Sequence, residues 1–292
     1  MPLRSQSAVL PDRARYRMAW GMSQTVPTIR PDAPVLVFDS GVGGLTVLDA
    51  LRRILPEAPV IYAADNAGLP YGEKSEAEIA ARVAGLLGRM TERFQPRLAC
   101  IACNTASTIA LGMVRDVLHI PIVGTVPAVK PAAAATKTGV IGLIGTGATI
   151  RQAYVDRLEA EFAQGKTLLR LAAPGLVAAA EAKLRGRTPD PAVIAGVLAE
   201  FRAMPGGDRI DTLVLACTHF PLLAEELGEA FGPDVALVDG AEGIARRIAT
   251  LTGGQEFLRT GPDIALFTRA EQGLASLEPA LAARALSRIE VL

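Results

Sequence analysis

Two cysteines occupy equivalent positions in two similar segments of this 292-residue chain. Segment 98–107 reads LACIACNTAS, and segment 212–221 reads TLVLACTHFP. Each is an apolar, strand-like run that stops at Ala-Cys, so Cys103 and Cys217 stand at matching strand ends. Such a pair of thiols suits chemistry that needs one acid/base group on each side of a substrate.

The residues after the two cysteines favour a chemical role over a packing role. A free cysteine alone is more often a small buried hydrophobe than a catalyst. Here a polar pair follows each one, Asn-Thr after Cys103 and Thr-His after Cys217, at a predicted strand-to-helix turn. A helix N-terminus favours a thiolate. We therefore expect reactive thiols, with His219 and a carboxylate such as Asp39 as proton partners rather than metal ligands.

Cys100 and Cys103 form a Cys-x-x-Cys motif, for which a redox pair or a zinc site is the alternative interpretation. Cys100 lies inside the apolar run, whereas a thioredoxin-like pair belongs at a helix start. Structural zinc usually takes four ligands, and the chain has only three cysteines and two histidines. We interpret Cys100 as a small core residue and predict no metal site.

Two glycine-rich turns, residues 39–45 and 142–147, resemble phosphate-binding loops only weakly. Neither contains Gly-Lys-Ser/Thr, and Thr46 stands where a dinucleotide fingerprint has its third glycine. The first turn is equally consistent with a strand-to-helix turn that Asp39 caps. We interpret the second as a turn between a strand and a helix, without a direct role in chemistry.

The composition excludes several classes of protein. Thirty basic and thirty acidic side chains give a formal net charge of zero, which argues against a general nucleic-acid binder. Half of the residues are hydrophobic, which is enough for a sizeable core. No segment has the apolar length of a membrane span or of a secretory signal. Three cysteines make no disulfide framework, so we predict a cytoplasmic protein.

Short apolar runs alternate with helical patterns from residue 35 onward. Helix starts are predicted at the capping box that begins at Ser75 and at Asp190-Pro191. This alternation predicts an α/β fold with mainly parallel sheets flanked by helices. The predicted strands are Val35–Phe38, Val60–Ala63, Leu98–Ala102, Val140–Ile144, Leu168–Leu171, Leu213–Ala216, Ala236–Val238 and a closing strand at Ile289–Leu292.

The chain is predicted to form two α/β domains after an N-terminal extension, residues 1–34. Residues 35–127 and 239–292 form the first domain and residues 128–238 the second, with the crossings at a proline-bearing segment and at an Asp-Gly turn. Ligands in such folds bind beyond the carboxyl ends of the strands. Cys103 and Cys217 both fall there, so we expect the site in a cleft between the domains.

Four motifs, in this order and spacing, resemble those of glutamate racemases, within the broader aspartate/glutamate racemase group. The resemblance extends over residues 35–243. It implies two pseudosymmetric α/β domains and a cofactor-independent enzyme. The motifs are Asp39-Ser40-Gly-Val-Gly-Gly, Pro70-Tyr71-Gly72, Ala102-Cys103-Asn104-Thr105 and Ala216-Cys217-Thr218-His219.

The resemblance also implies roles for particular residues. Cys103 would take the α-proton of D-glutamate while Cys217 delivers one to the opposite face, with the roles reversed for L-glutamate. In a near-attack pose, the two sulfurs would then lie roughly 7 Å apart. Asp65, Glu181 and His219 would assist the thiols. The implied substrate-binding residues are Asp39, Ser40, Tyr71, Gly72, Asn104, Thr105, Thr218 and His219.

Two alternatives remain open. Aspartate racemase shares the two-thiol plan, although its second motif usually reads Cys-Thr-Glu where this chain has His219. A non-catalytic amino-acid-binding protein could keep the fold, but binding alone does not need two thiols. A pyridoxal-phosphate enzyme is disfavoured because no lysine stands in a recognisable Schiff-base setting.

The family also implies partners and a biological role. Its members supply D-glutamate for peptidoglycan, and dimers are common among them. In some relatives an N-terminal extension accompanies activation by UDP-N-acetylmuramoyl-L-alanine, so residues 1–34 suggest the same hypothesis here. Some members are reported to bind DNA gyrase, and the neutral net charge neither supports nor excludes that.

Overall fold

Two parallel β-sheets, flanked by helices, form the framework of the protein. The computed structural model describes residues 29–270 and 273–292, so residues 1–28 of the predicted extension lie outside the described residues. Residues 31–292 form one compact unit. The division into two domains stays a prediction, and we call each sheet with its helices a lobe.

The sheet of the first lobe has the strand order β10-β9-β2-β1-β3-β4. Every neighbouring pair of strands in it runs parallel. The strands are β1 (Val35–Asp39), β2 (Val60–Ala64), β3 (Leu98–Ile101), β4 (Ile122–Gly124), β9 (Ile264–Phe267) and β10 (Arg288–Val291).

The sheet of the second lobe has the strand order β6-β5-β7-β8 and is also parallel throughout. Together the two sheets confirm the predicted fold class. The strands are β5 (Val140–Gly145), β6 (Thr167–Ala172), β7 (Thr212–Ala216) and β8 (Ala236–Val238).

Helices connect the strands and cover the sheets. Ser75 Oγ accepts a hydrogen bond from the Glu78 N–H at 3.2 Å, which confirms the predicted capping box. Asp190 caps the helix that begins at Pro191 in the same manner, with Oδ1 2.9 Å from the Ala192 N–H. The helices are α1 (Leu45–Ile54), α2 (Glu76–Phe94), α3 (Asn104–Val117), α4 (Val129–Ala135), α5 (Gly147–Ile150), α6 (Ala153–Phe162), α7 (Gly175–Leu184), α8 (Pro191–Ala203), α9 (Ala224–Phe231), α10 (Ala241–Leu251) and α11 (Glu278–Ala282), with short 3-10 helices at Tyr71–Glu73, Gly207–Arg209, Phe220–Leu223 and Leu274–Leu277.

Both faces of the first sheet are buried at its inner strands, which explains why β1, β2 and β3 are apolar without alternation. Helices α1 and α10 cover one face, and α2 and α3 cover the other. Leu87 of α2 is fully buried in this second layer, so Leu87→Ala would cost about 2–5 kcal/mol of stability. The second sheet likewise has a buried apolar cluster on each face. This packing gives the strand ends a rigid base.

Two strands of the first sheet are absent from the sequence-based expectation. These are β4, which has three residues, and β9, which has four. The closing strand is present as β10, one residue earlier than expected, and it pairs with β9. Within the described residues, no helix combines the length and apolar character needed to cross a bilayer.

Candidate active site

Cys103 lies where β3 gives way to α3, as predicted. Its sulfur accepts a hydrogen bond from the Ala106 N–H at 3.4 Å and thereby caps the helix. Ser40 Oγ, at the end of β1, lies 3.5 Å from the same sulfur. The side chain is only 5% exposed. The sulfur is therefore held by groups from two neighbouring strand ends.

The surroundings of Cys103 raise the pKa of its thiol, whereas the position at a helix start predicted that a thiolate would be favoured. Burial, reinforced by the nearby Asp39 carboxylate, raises the pKa of the Cys103 thiol to about 12. The hydrogen bonds from Ser40 and from the Ala106 N–H oppose this shift and are outweighed. At neutral pH the Cys103 thiol is therefore protonated.

Cys217 follows β7 and faces an imidazole. Its sulfur lies 3.8 Å from His219 Nδ1, and His219 Nε2 lies 3.0 Å from Glu181 Oε1. Arg185 holds the second carboxylate oxygen of Glu181. The helix that follows Cys217 is the short 3-10 helix Phe220–Leu223 rather than an α-helix. His219 is thus the titratable side chain in contact with this sulfur, and its role as proton partner stays a prediction.

The charge state of His219 is set by its two partners. Burial lowers the pKa of its imidazole, but hydrogen bonds with Cys217 and Glu181 outweigh burial and raise that pKa to about 10. Burial likewise raises the pKa of Glu181, but the same hydrogen bond with His219, assisted by Arg185, brings it down to about 2. The imidazole is therefore a charged proton donor beside Cys217 at neutral pH.

Asp39 links the two lobes by a hydrogen bond to Thr218. Its Oδ1 accepts a hydrogen bond from Thr218 Oγ1 at 3.1 Å, and its Oδ2 accepts one from the Gly41 N–H at 3.1 Å. Burial raises the pKa of this carboxyl, although the charge of His219 and these hydrogen bonds oppose the rise. Asp39 therefore positions Thr218 and its own turn, and it adds negative potential near Cys103.

The glycines of the first glycine-rich turn make room for the imidazole. A methyl group at Gly43 would lie 2.5 Å from His219 Nδ1 and 2.6 Å from the His219 backbone nitrogen. One at Gly41 would lie 3.1 Å from Glu181 Oε1. Close approach to His219 and Glu181 explains these glycines.

Asp65 lies behind Tyr71 rather than beside a thiol. Its carboxylate accepts hydrogen bonds from Tyr71 Oη at 2.6 Å, Thr268 Oγ1 at 2.6 Å and Arg82 Nη2 at 2.7 Å. Burial acts to raise the pKa of Asp65, but these bonds, first that of Arg82, hold it below its usual value. Asp65 therefore anchors the loop that carries Tyr71 and Gly72.

The second glycine-rich turn contributes a residue that sequence reasoning missed. Thr146 Oγ1 lies 2.9 Å from Thr105 Oγ1, and Thr149 Oγ1 lies within 3.1 Å of both hydroxyls. A methyl group at Gly72 would lie 3.0 Å from Thr146 Cβ. The sequence did contain a signal for Thr146: it is a polar residue directly after β5, much as Cys103 and Cys217 follow β3 and β7.

One small cavity brings the thiols together. Its volume is about 20 Å³, which is room for a single water molecule. The three cysteines are free, and Cys103 and Cys217 reach this cavity from different sheets. Among the predicted site residues, the cavity is lined by Ser40, Tyr71, Gly72, Cys103, Asn104, Thr105, Cys217, Thr218 and His219.

The remaining predicted residues stand one contact away from the cavity. Asp39 contacts Thr218, Glu181 contacts His219, and Asp65 contacts Tyr71. Cys100 is fully buried in β3, as predicted for a core residue. The arrangement thus offers two acid/base sulfurs, one from each lobe, around a single small cavity.

The fold thus has two α/β lobes, and one buried thiol from each lobe lines the same cavity. The model of the Asp/Glu/hydantoin racemase family matches residues 45–248. The chain belongs to this family and is an amino-acid racemase.

Curated relatives and solved structures agree. The chain is 65% identical over 243 residues to the glutamate racemase of Sphingopyxis alaskensis, covering 83% of this chain and 91% of that protein. It is 48% identical to that of Pectobacterium carotovorum, over 78% of this chain and 80% of the relative. The Escherichia coli glutamate racemase, solved with L-glutamate and the activator UDP-MurNAc-Ala, superposes with a TM-score of 0.84 at 41% identity, over 90% of this chain and 98% of that one. The resemblance inferred from the four motifs is confirmed.

Proposed function

We propose that this protein interconverts L- and D-glutamate without a cofactor, through proton transfer by Cys103 and Cys217. The observation that carries the proposal is the pair of buried thiols, one from each lobe, around one cavity. The glutamate racemases named above support the choice of glutamate. A binding protein would need neither thiol, and it would not need a proton donor beside one of them.

The mechanism exchanges one proton on each face of the α-carbon. With D-glutamate, the Cys103 thiolate takes the α-proton, so the Cα–H bond breaks and an S–H bond forms. The Cys217 thiol delivers its proton to the opposite face, so its S–H bond breaks and a new Cα–H bond forms. L-glutamate reacts in reverse. The number of protons on the pair of thiols is unchanged, and no electrons are exchanged.

The surrounding groups set the proton positions. Because the nearby Asp39 carboxylate disfavours a thiolate at Cys103, a substrate ammonium in the cavity would offset that effect and favour the thiolate. His219 supplies a charged N–H beside Cys217 when this sulfur carries negative charge. The backbone N–H groups at the start of α3, near Asn104, would stabilise the charge that develops on the α-carboxylate.

The closed cavity must enlarge before glutamate can enter. A space of about 20 Å³ holds one water molecule and cannot hold an amino acid. A second cavity of about 320 Å³ lies against the same wall and shares Leu69, Pro70, Gly72, Thr146 and Val177 with the first. We infer that substrate enters where the loop with Gly72 meets Thr146.

Circular dichroism of amino acids tests the proposed function. Reduced protein, dialysed and without added pyridoxal phosphate, is incubated with D-glutamate and separately with D-aspartate. Loss of the D-glutamate signal, with D-aspartate unchanged, supports the proposal. Loss with D-aspartate alone would favour the aspartate racemase alternative, and a folded protein that changes neither signal would favour a binding protein.

Activation by UDP-MurNAc-Ala is a second proposal, because the Escherichia coli relative was solved with that activator. An open cavity of about 1070 Å³, lined by both lobes, is large enough for such a nucleotide. Exposed Arg53 and Arg247 stand at this cavity, as do the aromatic rings of Tyr154 and Phe162. These are groups that bind diphosphate and stack on a base.

The activation proposal is tested by turnover with and without the nucleotide. We expect Arg247→Ala to weaken activation, whereas Arg202→Ala, at an exposed arginine of α8 outside this cavity, should not. Equal turnover with and without the nucleotide would contradict the proposal.

The cellular setting follows from the proposed reaction. We propose that the protein supplies D-glutamate for peptidoglycan in the cytoplasm, and that each sheet is the centre of one domain, as the sequence predicts. A homodimer stays a prediction of the family resemblance, and sedimentation velocity would test it.

A further inference from the structure

Thr46 links the two lobes next to the Cys217 segment. It is the second residue of α1 and half-buried, and its hydroxyl lies 3.2 Å from the Thr218 carbonyl oxygen of the second lobe. Thr218 is the residue between Cys217 and His219. The first lobe therefore holds Thr218 at two atoms: Asp39 at its side-chain hydroxyl and Thr46 at its carbonyl.

The same hydroxyl has an alternative acceptor on its own lobe. Thr46 Oγ1 also lies 3.0 Å from the Gly43 carbonyl oxygen. A hydroxyl has one proton, so it satisfies one of these carbonyls fully at a time. When the lobes separate, Thr46 can donate to Gly43, and no buried donor is left without a partner. The hydroxyl therefore keeps an acceptor whether or not the bond to Thr218 is formed.

We propose that Thr46 is a positioning residue of the racemase, whose hydroxyl fixes the Cys217–His219 segment against the first lobe when the site closes. The proposal rests on the proposed function. Cys103 belongs to the first lobe, and Cys217 to the second. A bond between the lobes that ends one residue from Cys217 therefore fixes the separation of the two sulfurs. Proton transfer is sensitive to that separation, because small displacements in a near-attack geometry cost large factors in rate.

The test compares Thr46→Val, which keeps the shape of the side chain but lacks the hydroxyl, with Thr46→Ser, which keeps the hydroxyl. A hydrogen bond of ordinary strength predicts that Thr46→Val lowers kcat/KM about threefold to tenfold per folded enzyme. Because the two glutamates are enantiomers of equal free energy, kcat/KM must fall equally in both directions. Thr46→Ser should restore most of the activity.

A matched control removes a similar hydroxyl elsewhere. Thr250 Oγ1, on α10, donates to the Arg246 carbonyl oxygen of its own helix at 2.9 Å and is exposed. Thr250→Val should leave kcat/KM unchanged. If Thr46→Val fails to fold, Thr46→Ala removes the same hydroxyl with a smaller side chain and takes its place in the comparison.

The isotope effect of α-deuterated substrate on kcat/KM separates positioning from other roles. We expect an effect in the hydroxyl-free variant at least as large as that of the wild type, because hydrogen transfer is the step that slows. A smaller effect would assign the loss to substrate entry or product release and would overturn the proposal. So would activity within twofold of the wild type, or equal impairment of Thr46→Ser. An inactive wild type would instead overturn the proposed function.

Discussion

His219 is predicted to remain an imidazolium far above the usual range of histidine. An ordinary histidine has a pKa of about 6.5, so about 3% of it is charged at pH 8. Hydrogen bonds with Cys217 and Glu181 outweigh burial and raise the pKa of His219 to about 10. About 99% of His219 should therefore carry its proton at pH 8.

The raised pKa has a consequence for stability with a definite sign. Between about pH 6.5 and about pH 10 the folded protein keeps the proton of His219 and the unfolded chain has lost it. This stabilisation is complete below the unfolded pKa and is lost as the pH rises through the folded one. The free energy of unfolding should thus fall by about 1.4 kcal/mol per pH unit in that window through this one group.

Nuclear magnetic resonance of protein with isotope-labelled histidine measures the charge directly. The chain has two histidines, so His219→Gln and His119→Gln assign both ring signals. Urea unfolding from about pH 7 to about pH 9 should show the extra slope in the wild type and not in His219→Gln. A His219 signal that titrates near pH 6.5, or equal slopes in the two proteins, would refute the proton-donor role assigned to this side chain.

Three substitutions test other contacts of the site. Gly43→Ala places a methyl group against the imidazole of His219, so we expect kcat to fall at least tenfold while the far-UV circular dichroism spectrum stays unchanged. The control Gly228→Ala, at an open position of α9, should keep full activity. Tyr62→Phe removes a buried hydroxyl that donates at 2.8 Å to a carbonyl of the glycine-rich turn, and it should cost about 1–3 kcal/mol in urea unfolding; an unchanged midpoint would contradict this. Arg82→Met leaves the Asp65 carboxylate without its cation and should lower the free energy of unfolding by about 3 kcal/mol. Adding Asp65→Asn should restore part of that loss, and additive losses in the double variant would disprove the pairing.

The strands and the two site cysteines could be predicted from the sequence because both are marked by a local pattern of residues. Parallel strands that are largely buried are runs of apolar residues, so eight of the ten strands could be predicted before the fold was known. Cys103 and Cys217 were found because each ends such a run before polar residues. Strand β4, with only three residues, is too short to show a pattern of its own.

The remaining features depend on contacts between distant segments. Thr146 meets Thr105, and Thr46 meets Thr218 across 172 positions of sequence, so no local pattern indicates either pair. Arg82 could not be linked to Asp65 for the same reason. The charge state of Cys103 is set mainly by burial, which the position of this residue at a helix start does not reveal.

The most direct measurement of the two-thiol mechanism follows hydrogen at the α-carbon during the first turnovers of L-glutamate in deuterium oxide. The two-thiol mechanism predicts that the D-glutamate formed carries solvent deuterium, while the remaining L-glutamate keeps its proton, because a different sulfur acts on each face. Cys103→Ser and Cys217→Ser should each lower racemisation by orders of magnitude. Product that retains the substrate's own proton, or a single-cysteine variant that racemises at the wild-type rate, would contradict the account.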